Sequence, residues 1–169
     1  MEEQNTTFNP RPTFLTVLCI LSFLGSGWGI IDSITDYVNA EQVGEATELI
    51  EESMDDAMDK LDENEDISDT QRDFVEGMAQ GFTENITPEN IRKSAIVTLI
   101  SCLLTLAGAL LMWKLNKNGF YLYIAGFLVM IIGLVSIFSG VMGAIAAGGS
   151  GFIGVVMIVL YGVNLKHMN

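Results

Sequence analysis

Four long apolar runs, separated by polar stretches, set the layout of this chain. They cover 13–35, 94–113, 120–140 and 151–165. About 20 apolar residues in a helix cross the ~30 Å hydrocarbon core of a bilayer, so the first three fit a span and the fourth is short. Residues 36–93 follow a different rule. Within 41–61, Val43, Ala46, Ile50, Met54, Ala57 and Leu61 recur at steps of three and four, with Glu and Asp on the other faces. That spacing predicts an amphipathic helix. A charged turn follows, then Ser68 with Gln71 three residues on, a capping-box pattern that predicts a helix over 69–82. Its Phe74, Val75, Met78 and Phe82 share a face, and the two stripes are expected to meet as a hairpin. Thr87 and Pro88 suit the cap and first turn of the next helix.

The expected fold class is therefore an all-α membrane protein. It has four transmembrane helices and an acidic extracytoplasmic helical hairpin at 36–93, between the first and second spans. The remaining pieces are an arm (1–12), a basic turn (114–119), a glycine-rich outer turn (141–150) and a tail (166–169).

Charge sharpens this picture. The net charge is −13, and 36–93 alone holds 18 acidic residues against 4 basic ones. Such a field repels nucleic acid and anionic lipid headgroups. Arg11, Lys114, Lys117, Lys166 and His167 all fall on the opposite side of the membrane from that segment. The positive-inside rule puts them, and both termini, in the cytoplasm. Arg92 and Lys93 dissent, and Asp32 and Asp36 at the same end of the first span are expected to pair with them.

Small residues mark where helices approach closely. Gly25 and Gly29 make a GxxxG spacing in the first span. Ser101, Thr105 and Ala109 make a four-residue stripe in the second. Ser136, Gly140, Ala144 and Gly148 make the longest stripe. Trp28, Trp113 and Tyr161, near span ends, read as interfacial anchors. Cys19 and Cys102 lie in apolar runs and read as packing residues.

Chemistry is sparse. The centres of the spans hold no Asp, Glu, Lys, Arg or His, which ion pathways and proton relays usually need. No nucleophile motif, phosphate-binding glycine loop or Cys/His metal cluster occurs, so neither catalysis nor a cofactor is expected. Asp62, Asn64, Asp66, Ser68 and Asp73 have a calcium-loop flavour, but Ile67 stands where glycine is needed and Asp73 where a bidentate Glu is needed. A signal peptide ending at Gly25-Ser26-Gly27 competes with a retained span, and apolar character continuing through Trp28, Ile30 and Ile31 favours the span.

The segment from Pro10-Arg11-Pro12-Thr13-Phe14-Leu15 through Gly25-Ser26-Gly27 resembles the opening of small, uncharacterised four-helix inner-membrane proteins of Bacteroidetes-type bacteria. The resemblance implies a bacterial inner membrane and carries no activity. The function expected is a non-enzymatic accessory or scaffold subunit of a larger inner-membrane complex. Its partners are other membrane subunits and lipid, with self-association also open. The alternative is a self-assembling channel or transporter for a small solute or cation.

Overall fold

The computed structural model describes residues 12–62, 68–138 and 140–168, and all of its regular elements are helices. Helix α1 (Thr13–Asp62) is a single rod of 50 residues. At about 1.5 Å per residue it is ~75 Å long, far more than a bilayer core needs. The expected division into a span at 13–35 and a separate helix at 41–61 is corrected accordingly. Nothing between them breaks a helix: there is no proline, and a switch from apolar to acidic side chains changes the solvent a helix prefers without touching its backbone bonds.

Helix α2 (Asp69–Asn85) touches α1 and α5. Thr87 then caps α3 (Pro88–Trp113), its hydroxyl accepting from the Asn90 N–H at 3.2 Å with Pro88 in the first turn. A tight turn carries Leu115 at φ 62° into α4 (Asn118–Ile137). Helix α5 (Gly140–Asn164) closes the chain with a short 3₁₀ turn, Leu165–His167.

Four helices, α1, α3, α4 and α5, are long and apolar enough to cross a membrane, and the protein is a multi-pass membrane protein. The third and fourth spans meet elsewhere than the sequence suggests. Phe138 is extended and Gly140 takes φ +61°, a left-handed conformation glycine tolerates. The expected outer turn at 141–150 is helical instead. Glycines cost a helix about 1 kcal/mol each in water. In an apolar setting, however, unwinding would strand backbone polar groups, which costs more.

Consecutive spans pack antiparallel. Gly29 lies against Cys102 and Gly44 against Pro88, so α1 and α3 run past each other. Gly108 meets Gly119 and Tyr123, Gly126 meets Ser101 and Thr105, and Gly133 meets Val97, which locks α3 onto α4. Gly154 receives the Phe127 ring, joining α5 to α4. At the end holding the start of α1, Leu15, Leu18, Cys19, Met112, Tyr123 and Tyr161 form the core.

Candidate docking surface

Inside the bundle several polar side chains bond from helix to helix, while buried Ser33 and Asn164 bond back to their own helices. Ser22 Oγ and Tyr161 Oη are 2.8 Å apart, and Ser26 Oγ and Thr105 Oγ1 are 3.1 Å apart. Ser101 donates to the Gly126 carbonyl at 2.9 Å, and the Cys19 thiol to the Ala109 carbonyl at 3.7 Å. Tyr161 is 0% exposed, so it is a core residue and not an interfacial anchor. Trp113 stacks obliquely on Phe23, while Trp28 faces outward. Neither cysteine is in a disulfide.

The small residues singled out by four-residue spacing divide into two sets. Gly29, Ser101, Thr105 and Ala109 sit at helix contacts. A side chain at Gly25 or Gly148 would meet nothing within 4 Å, and Ser136, Gly140 and Ala144 are exposed. The stripe from Ser136 to Gly148 is corrected on a further ground. The turn before Gly140 places Ser136 on α4 and the other three on α5, so Ser136 shares no face with them.

Spacing by seven marks the seams instead. On α1, Cys19, Ser26, Ser33, Ala40 and Thr47 are all at most 7% exposed. On α4 the seam is Gly119, Gly126 and Gly133. A seven-residue repeat of small side chains keeps one face turned to a partner helix that coils left-handedly around it. The α1 repeat runs on to Thr47, so the same seam that packs the span also holds the helix beyond it.

That continuation is the candidate site. Glu41 and Arg92 pair at 2.9 Å, and Lys93 pairs with Glu89 on its own helix. The expected pairing of Arg92 and Lys93 with Asp32 and Asp36 is corrected: Glu41, about one and a half turns beyond Asp36 and two and a half beyond Asp32 along α1, is level with Arg92. Both ion pairs are exposed and screened by solvent, so neither adds much stability. Their larger effect is to occupy two of the four cations of 36–93. Asn85, nearly buried, donates to the Gly81 carbonyl at 2.6 Å and accepts from Asn90 Nδ2 at 3.0 Å, which fixes the turn from α2 into α3. Against this turn lies a cleft of about 390 Å³ lined by Glu41, Glu45, Glu51, Thr47, Ile86 and Pro88. A second, mostly apolar cleft of about 260 Å³ lies between Tyr37 and Val38 of α1 and Ile96 and Leu99 of α3.

The expected apolar hairpin face is largely uncovered. Val43 is 37% exposed, Ile50 43%, Phe74 60% and Met78 38%, with Leu49 at 67%. Met54 and Phe82 are half-buried, and Leu61 lies in the last turn of α1. Asn64, Asp66 and Ile67 of the calcium-like pattern lie outside the described residues. Among the described residues, no group of three or more His, Cys, Asp or Glu side chains is arranged to hold a metal ion.

A family model matches residues 10–147, most of the chain. The protein belongs to DUF8777, a domain of unknown function. The match to DUF8777 takes in α1 to α4, the first turns of α5, and the whole of the acidic segment. No curated protein matches the chain, and no solved structure matches it.

Proposed function

We propose that this DUF8777 protein is a non-enzymatic accessory or scaffold subunit of a larger bacterial inner-membrane complex. In this reading both termini are cytoplasmic. The outer part of α1 and the returning α2 form an acidic helical hairpin on the periplasmic side, through which the subunit docks. The observation that carries the reading is the continuity of α1, which holds exposed apolar side chains well clear of any bilayer. Such side chains are useful only if another protein covers them. Lengths support the hairpin. From Gly44, which touches Pro88, to the end of α1 is 18 residues, ~27 Å, and the 17 residues of α2 return ~25 Å. Segregated charge supports the orientation. The resemblance of the 10–27 segment to Bacteroidetes-type inner-membrane proteins supports the compartment.

The test is purification of tagged full-length protein from its native membrane in mild detergent. A stoichiometric companion is expected, and it should disappear when residues 41–82 are replaced by a flexible linker. A homo-oligomer that carries no companion and conducts ions in liposomes would overturn the proposal in favour of a channel.

A further inference from the structure

We infer that the uncovered apolar faces of outer α1 and of α2 take a basic amphipathic helix of the partner. This rests on the accessory-subunit reading and names the chemistry of its docking. Leu49 and Ile50 on α1, and Phe74, Val75 and Met78 on α2, are all exposed. Lipid does not cover the α1 face. Leu49 lies 14 residues past the end of the apolar run at Thr35, ~21 Å along the helix, beyond the headgroup layer.

A second copy of this chain is a poor occupant, because each copy brings 18 acidic and 4 basic residues in 36–93. Like charges facing each other across an interface oppose association. Glu45, Glu52, Asp56 and Asp73 remain exposed around the apolar positions. Arg92 and Lys93 already serve Glu41 and Glu89. Lys60 and Arg72 are the segment's only other cations against its 18 carboxylates, and the remaining Lys and Arg lie outside it, so the complementary charge comes from another protein. A helix with Leu-type anchors flanked by Lys and Arg satisfies both the apolar strip and its acidic rim.

The experiment uses the full chain in nanodiscs of zwitterionic lipid. A fluorescent Leu/Lys amphipathic peptide of about 18 residues, ~27 Å as a helix, is compared with its Leu/Glu counterpart, and empty nanodiscs serve as the blank. The Leu/Lys peptide should bind, raised salt should weaken it, and Leu49→Ser with Phe74→Ser should weaken it at least about tenfold. Both substitutions are on exposed sites, so the melting midpoint should hold. Equal binding of the Leu/Glu peptide, or indifference to the two substitutions, overturns the inference. No peptide binding by a protein that still retains a stoichiometric companion overturns the basic-helix occupant and leaves the accessory reading standing. Peptide binding without any native companion does the reverse.

Discussion

Gly108→Leu should prevent recovery of folded protein, or lower its stability by about 3 kcal/mol or more, at the top of the range for overpacked cores. Even the first carbon of a side chain there would lie 2.7 Å from the Gly119 carbonyl oxygen and the Tyr123 amide nitrogen, and 3.0 Å from the Tyr123 Cα. These are backbone atoms of α4, and they cannot swing away as a side chain tip can. The helices must separate, and with them the Ser101 bond to the Gly126 carbonyl. Gly25→Ala is the matched control. Nothing lies within 4 Å of its added carbon, and alanine favours a helix over glycine by about 1 kcal/mol. Thermal unfolding in detergent, followed by loss of the monodisperse peak, should separate the two variants widely. Equal midpoints would mean that α3 and α4 do not meet at their glycines.

Tyr161→Ala is expected to cost about 3 kcal/mol, and Tyr161→Phe only about 0.6 kcal/mol. Tyr161 is fully buried, packs its ring on Tyr123 at 5.1 Å, and bonds Ser22 across the bundle. Deleting the ring leaves a cavity in the buried core. The value is placed at the low end for aromatic truncation because the unfolded reference in a bilayer sits in lipid, so packing is lost but not transfer from water. Deleting the hydroxyl alone removes one interhelical hydrogen bond, which within membranes averages that smaller amount. A Tyr161→Phe variant as unstable as Tyr161→Ala would show that the hydroxyl, and not the ring, holds α5 to α1.

What could be read from the sequence follows from which physical rule each feature obeys. The four spans are legible because a bilayer demands long apolar runs and little else looks like one. The cap at Thr87 is legible because an N-terminal amide needs an acceptor and only a few side chains supply it. Continuity of α1 through Asp36 is not legible as a continuity: the composition changes there while the helix does not. The glycine cluster at 148–151 misleads in the opposite sense. Glycine marks turns where water can take over the backbone bonds, whereas Ser150 in α5 bonds back to the Ala146 carbonyl at 2.6 Å and the helix continues. The packing seams were present in the sequence at seven-residue spacing, in Cys19 to Thr47 and in Gly119, Gly126 and Gly133. A search by fours finds none of these seam positions, although Gly29, Ser101, Thr105 and Ala109 lie at contacts beside them. The docking faces are half legible. Periodicity identifies Ile50, Phe74 and Met78 as an apolar set, but only the structure shows that the described residues leave them exposed.

Both docking proposals depend on α1 leaving the bilayer as one unbroken helix. Spin labels at Ile34 and Glu52, both exposed and five helical turns apart, measure this in lipid. A continuous rod gives one narrow distance distribution near the ~27 Å expected for 18 helical residues, allowing for the label arms. A broad distribution, or one centred well below that distance, would mean that the helix breaks at the membrane surface, and the acidic segment would then be a hinged loop and not a presented face.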